Sequence, residues 1–282
     1  MKIAISVEST NDLSKELLQK YDIKVIPYHI TLGNKSFLDG EMSTEDLFSH
    51  VDETKTLPKT NAINEFEFIE YFGEIKKEYD AVIHISLSSG LSSSCANAKR
   101  ASQNVENVFV IDSQSLSTGI GLLAIYAREL ADEGVDPSII VKKVQDKVGD
   151  LQVSFVIEKL EYLHKGGRCN LLSLLGATIF HIKPRIVVKN GKMSSDKKYK
   201  GFSMAKVVKK YCEDVLEENP KPELDKVFLT YTTATSEMIE NAKAVLNEKG
   251  FKNIYETRAG CTIASHCGAN TLGILFFNSQ DK

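Results

Sequence analysis

In the first half of the chain, short β-branched runs alternate with amphipathic segments, and this alternation constrains the fold more than any other feature. Residues 2–7 read as a strand, 11–21 as a helix, 23–31 as a strand and 65–79 as a helix. The series continues with a strand at 81–87, a helix after Ser92, a strand at 108–111 and a helix at 119–134. Strands separated by helices cannot pair as hairpins, so they predict a parallel sheet with helices on both faces. Ligands of such sheets sit beyond the C-terminal ends of the strands.

The pattern changes near Leu151. Residues 153–157 read as a strand and 159–165 as a short helix that stops at Gly166-Gly167. Residues 186–193 read as a hairpin, because Asn190-Gly191 supplies the positive φ angles of a type I′ turn. Helices at 203–218 and 237–249 and strands at 227–231, 253–257 and 273–277 complete an α+β pattern with a mixed sheet. A chain of 282 residues exceeds the usual single-domain size. The reading is an N-terminal parallel-sheet α/β domain over residues 1–150, followed by a C-terminal α+β domain over residues 151–282.

Three serine-rich turns, at residues 7–12, 87–94 and 112–119, follow predicted strands of the first half. All three fall on one edge of a parallel sheet, so their hydroxyls and the following helix N-termini converge on one crevice suited to an anion. Taken singly, each turn is better explained by ordinary helix capping from Ser9, Ser92 or Ser117. Phosphate loops are missing: there is no Gly-x-x-x-x-Gly-Lys-Ser/Thr, and no Gly-x-Gly-x-x-Gly follows a strand. The Gly-x-Ser-x-Gly elbow of a serine hydrolase is missing too.

A net charge of −3 and a pI near 6.1 give no bulk attraction to nucleic acid or an anionic membrane. The first residues turn polar too early for a signal-peptide core, and no apolar run reaches membrane-spanning length, so a cytoplasmic protein is expected. Five scattered cysteines without a Cys-x-x-Cys pair suggest reduced, buried thiols, and six dispersed histidines show no metal-ligand spacing.

Further segments carry hydrogen-bonding groups. Residues 58–65 offer Thr60 and Asn61 before a helix that Asn64 would cap. Leu163-His-Lys-Gly-Gly-Arg168 reads as a glycine-terminated helix. Residues 259–273 place His266 among small residues that permit close approach of a ligand or another backbone.

Taken in order, seven pieces resemble the DegV family of bacterial fatty-acid-binding proteins over essentially the whole length. They are Glu8-Ser-Thr-Asn-Asp-Leu13, Lys59-Thr60-Asn61, Ile85-Ser-Leu-Ser-Ser-Gly-Leu-Ser92, Ile111-Asp-Ser-Gln-Ser-Leu-Ser117, Leu160-Glu-Tyr-Leu-His-Lys-Gly-Gly-Arg168, Lys183-Pro184 and His266. The resemblance implies a long-chain fatty acid in an apolar tunnel, its carboxylate held by a threonine and a serine with a histidine nearby. Carried onto this sequence these are Thr60, Ser92 and His266, with Ser89 replacing Ser92 if the turn aligns differently and Asn61 beside Thr60. Apolar lining is expected from residues 171–180, Ile26, Leu116 and Ile263.

Some family members are the lipid-binding subunit of fatty acid kinase and present the carboxylate to a separate ATP-using subunit for acyl-phosphate formation in phospholipid synthesis. The carrier is then no enzyme, and it needs no metal or cofactor beyond its lipid. Several positions depart from the family pattern. Glu8 replaces an aspartate, Asn61-Ala-Ile63 a Ser-Gln-Pro, and Cys267-Gly-Ala-Asn270 a Thr-Gly-Pro-Gly, while Lys200 stands near where some members carry an arginine. The competing readings are a serine- or histidine-dependent hydrolase or phosphotransferase, and a lipid-dependent sensor without a kinase partner.

Overall fold

The computed structural model describes residues 1–169 and 182–279. The chain runs through β1 (Ile3–Glu8), α1 (Lys15–Lys20), β2 (Ile23–Ile26), β3 (His29–Leu32), β4 (Lys35–Leu38), α2 (Thr44–Thr54) and β5 (Lys59–Asn61). It continues through α3 (Glu65–Ile75), β6 (Ala81–Ser86), α4 (Ser94–Ala101), β7 (Val108–Asp112), α5 (Thr118–Asp132) and α6 (Pro137–Lys147). The remaining elements are β8 (Leu151–Val156), α7 (Glu161–Gly166), β9 (Ile182–Lys189), β10 (Lys192–Lys200), α8 (Met204–Glu218), β11 (Lys226–Tyr231), α9 (Ser236–Lys249), β12 (Asn253–Arg258), α10 (Cys261–Cys267) and β13 (Leu272–Phe277).

The first sheet has the order β2-β1-β6-β7, with every pair parallel. All six residues of β1 and all six of β6 are buried, which requires cover on both faces of the sheet. The helix pairs α3–α4 and α5–α6 supply that cover. Phe68 and Phe72 of α3 lie edge-on to the His84 ring of β6, with centroids 5.3 and 5.4 Å away.

The second sheet, β10-β9-β8-β13-β11-β12, is mixed: β11–β12 is parallel and the other pairs are antiparallel. Its β9–β10 hairpin turns at Asn190-Gly191, with φ of 49° and 74°, and both arms run further than the predicted 186–193. One hydrophobic core runs through both sheets and includes Val7, Ile85 and Leu116 together with Phe155, Phe228 and Leu275. A second lies under α8 and α9, around Val208, Tyr211, Leu229 and Phe276. All five cysteines are buried and unpaired.

The predicted strand over 23–31 is two strands in two sheets. Pro27 has no N–H for a ladder; β2 stops at Ile26, and β3 joins a small antiparallel sheet of order β4-β3-β5. The predicted helix over 11–21 is also shorter, because Asp12 takes a left-handed conformation and α1 begins only after Ser14, whose hydroxyl caps it. Helices α2, α6 and α10 had no counterpart in the sequence reading.

Candidate functional site

The three serine-rich turns lie together at the C-terminal edge of the parallel sheet, as the alternation predicts. Much of their hydroxyl capacity goes into joining them. Ser86 Oγ and the Leu87 N–H donate to the two carboxylate oxygens of Glu8, at 2.6 and 2.8 Å. Ser88 N–H donates to Ser115 C=O, and Ser117 Oγ donates to Asp12 Oδ2 at 2.5 Å. The expected plain capping role does not hold for Ser117, whose side chain caps nothing. Ser88 Oγ reaches the tip of the β9–β10 hairpin, donating to Gly191 C=O at 2.7 Å. A Cβ on Gly90 would collide with that same carbonyl, so the hairpin fixes the turn that carries Ser92.

Over this edge lies α10, held by carboxylates from distant parts of the chain. Gly260 N–H donates to Asp12 Oδ1 at 2.8 Å, Cys261 N–H to Asp39 Oδ1 at 2.9 Å and Thr262 N–H to Asp39 Oδ2 at 3.3 Å. The first turn of a helix leaves such N–H groups without partners, and carboxylates there also complement the helix dipole. Burial pushes the Asp12 carboxyl well above the usual range, against the pull of Ser117 and the Gly260 N–H.

Between α10 and the turns is a cavity of about 50 Å³. Leu87, Leu91, Leu116, Met193 and Ile263 form its apolar walls, and Thr60, Ser92 and His266 its predicted polar groups. Thr60 Oγ1, on β5, lies 2.9 Å from His266 Nε2, on α10, across 206 residues of sequence. Ser92 Oγ accepts from Tyr28 Oη at 3.0 Å and from Ser94 N–H at 3.2 Å. Burial, with a smaller effect from the Arg168 charge, pushes the His266 imidazole down to about 4. At neutral pH it therefore presents one N–H and one acceptor nitrogen.

Of the five residues singled out in the sequence, the fold brings Thr60, Ser92 and His266 together. Ser89 lies outside the cavity, exposed, with its N–H and hydroxyl both on the Asp112 carboxylate. Asn61 also lies outside it: strand residues alternate sides, and its amide turns away from Thr60's cavity to donate to Thr31 Oγ1. Leu116 and Ile263 line the cavity, whereas Ile26 is part of the core away from it, and residues 171–180 lie outside the described residues.

Four further polar residues line the cavity without having been singled out: Tyr28, Arg168, Thr10 and Thr262. Arg168 is exposed and donates to the carbonyls of Gly166 and Leu91, and among the described residues no carboxylate pairs with it; its charge borders the cavity. Thr10 Oγ1, Thr262 Oγ1 and His266 Nδ1 are buried without a hydrogen-bond partner among the described residues. Each such atom costs about 1–3 kcal/mol unless something satisfies it.

A second cavity, about 30 Å³, shares the walls Leu116, Ile263 and Cys267 and leads on to Phe155, Leu275 and Thr230. The larger crevice of about 660 Å³ beside β7 is lined by charged and polar groups such as Lys99, Asp112, Gln114 and Lys189 together with Val110, Leu151 and Val188, and it contains none of Thr60, Ser92 and His266. Chemically, the Thr60–His266 contact has the spacing of a nucleophile and its base. Among the described residues, however, the histidine has no orienting partner on Nδ1, and its low pKa makes it a weak base.

Comparison with known proteins places this geometry in context. Residues 2–279 match the model of a family described as "Uncharacterised protein, DegV family". A DegV domain-containing protein of Staphylococcus aureus is 31% identical over 279 residues, covering 97% of this chain and 98% of that protein. Another, from Clostridium perfringens, is 30% identical, with 98% of each chain covered. Among solved structures, a DegV family protein from Thermus thermophilus described for its fatty acid binding superposes with a TM-score of 0.89 at 25% identity. That match covers 99% of this chain and all of the other. DegV from Bacillus subtilis, described as a fatty acid binding protein, gives a TM-score of 0.85 at 25% identity with the same coverage.

Proposed function

The chain belongs to the DegV family, and from that premise we propose that it is a carrier that holds a long-chain fatty acid with the carboxylate between Thr60, Ser92 and His266. The observation that carries this reading is the convergence of those three side chains, from β5, the turn after β6 and α10, on one apolar-walled cavity. The acyl chain would pass Leu116, Ile263 and Cys267 into the second cavity, whose walls it shares.

The energetics are consistent with retention. Burying a sixteen-carbon chain supplies on the order of 12 kcal/mol of gross driving force before association costs. A bare carboxylate cannot follow it into an apolar site, because an unpaired buried charge costs several kcal/mol. Hydroxyl donors and the neutral imidazole meet that requirement, with the Arg168 charge beside them.

The carrier would act in the cytoplasm; among the described residues no helix is long and apolar enough to cross a membrane. Its partner would be an ATP-using kinase subunit that phosphorylates the carboxylate, and the carrier itself would supply no catalytic group, metal or cofactor. The hydrolase reading is favoured only by the Thr60–His266 contact.

Denaturing mass spectrometry of the purified protein should release a stoichiometric fatty acid. A protein that emerges empty and takes up neither palmitate nor oleate refutes the proposal. Acyl-phosphate formation with a captured kinase subunit and ATP tests the partner. Turnover of an acyl ester by this chain alone, lost in Thr60→Ala, would instead establish the hydrolase.

A further inference from the structure

We propose that the cavity is built for an acyl chain bearing a hydroxyl close to its carboxylate, and that Thr10 and Thr262 are the residues that read it. This rests on the carboxylate placement given above. Both threonines line the same cavity as Thr60 and His266, and both are almost wholly buried, at 0% and 4% exposure. Neither hydroxyl oxygen has a partner among the described residues.

Neighbouring hydroxyls are all engaged. Ser9 donates to Asp39, Ser92 to Ser94 and Ser117 to Asp12. On α10 itself Ser265 bonds back to the Cys261 carbonyl, four residues earlier. Thr262 shares that helix and makes no such bond. A valine would fill the same volume without stranding a polar atom, so two stranded hydroxyls on one cavity wall point to a partner brought by the ligand.

The proposed placement already gives the carboxylate Thr60, Ser92 and His266, so Thr10 and Thr262 are left for a further oxygen of the ligand in the same cavity. A hydroxyl on the second or third carbon adds two acceptor sites and a donor within reach of the same cavity.

The test is competition binding of palmitate, 2-hydroxypalmitate and 3-hydroxypalmitate to delipidated protein, with stearate and 12-hydroxystearate as the distal control. The wild type should bind one of the proximal hydroxy acids about three- to tenfold more tightly than palmitate. It should show no gain for the distal hydroxyl. Thr10→Val and Thr262→Val should erase the preference, read as the ratio of hydroxy-acid to palmitate affinity within each variant, and Thr262→Ser, which keeps the hydroxyl, should retain it. Thermal melts near the wild-type value would show that the valine variants fold. Equal or weaker binding of both proximal hydroxy acids, a preference that survives both valine substitutions, or a preference for the distal hydroxyl overturns the inference. Palmitate binding without discrimination overturns this inference alone; failure to bind any of the acids overturns the fatty-acid reading with it.

Discussion

Gly166 and Gly167 are adjacent for different reasons. Gly167 ends α7 in the left-handed conformation, at φ 69°, where a side chain is strained. Gly166 is helical and needs no special backbone, but a Cβ there would lie 2.5 Å from His266 Nδ1. Gly166→Ala should therefore displace the imidazole from Thr60 and weaken fatty-acid retention about as much as His266→Ala, measured by lipid release. Retention at the wild-type level would mean that the His266 position does not matter. Thr60→Ala and Ser92→Ala should each weaken retention by about 1–3 kcal/mol, the range for hydrogen bonds to a charged group, in the same assay. His266 also makes a signed contribution to stability. Its folded-state pKa, about 4, lies below the ordinary 6.5, so the unfolded chain takes up the proton first as pH falls. Stability is thus lost between about pH 6.5 and 4, by up to about 3 kcal/mol. Asp12, lifted by burial, works with the opposite sign, so the measurement is the difference between wild type and His266→Gln in denaturant melts across that window. Identical profiles would refute the shift. At this scale Thr60, Ser92 and His266 were legible through the motifs around them. Arg168 stood in the quoted motif, but nothing in it told that its charge would border the cavity. Thr10 stood in the Glu8–Leu13 piece and Thr262 in the 259–273 segment, but neither told that the hydroxyl would be stranded, since that is defined by what surrounds it in space.

Helix α10 shows why elements were read unevenly. Its sequence, Cys-Thr-Ile-Ala-Ser-His-Cys, begins after Gly260 with no side-chain cap of its own. The cap comes from Asp12 and Asp39, more than two hundred residues away, and no local pattern could announce it. Helix α6 is the opposite case. Asp136 caps it and Pro137 occupies its first turn, so its start signal is local to the sequence. Helix α2, capped by Ser43 with Glu45 and Asp46 in the first turn, was equally signalled. Because its cap is borrowed, α10 should depend on Asp39 more than a self-capped helix depends on its own N-terminal residue. Asp39→Ala removes the acceptor for two N–H groups and for Ser9. It should cost about 1–2 kcal/mol in global stability and also weaken lipid retention, since α10 carries His266, Thr262 and Ile263. Asp39→Asn, which keeps one acceptor oxygen, should fall between the two. A stability loss with unchanged retention would show that α10 holds its place without this cap.

The parallel sheet was readable from alternation because its strands are buried on both faces and its connections are helical. The small β4-β3-β5 sheet was not readable, because each of its strands has only three or four residues and depends on pairing partners brought from elsewhere in the chain. That sheet nevertheless places Thr60, so the site depends on the part of the fold that sequence periodicity reports least. The site lies where the serine turns, the small sheet and α10 meet, within a core that continues through both large sheets. The acyl chain would run from the site's cavity of about 50 Å³ into the second cavity past Leu116 and Ile263, which wall both, so loading should alter packing through the middle of the molecule. With fatty acid at a hundred times Kd, mass action stabilises the folded state by about 2.7 kcal/mol, which for a chain of this size raises the Tm by roughly 5–10 °C. Delipidated protein should melt lower by that amount and recover on adding palmitate. In hydrogen exchange, α10 and the turn over residues 87–92 should gain protection on loading, while α8 and α9, packed on the separate second core, should change little. Protection confined to α8 and α9 would place the ligand away from this junction, and a Tm indifferent to palmitate would mean that the folded protein does not bind it.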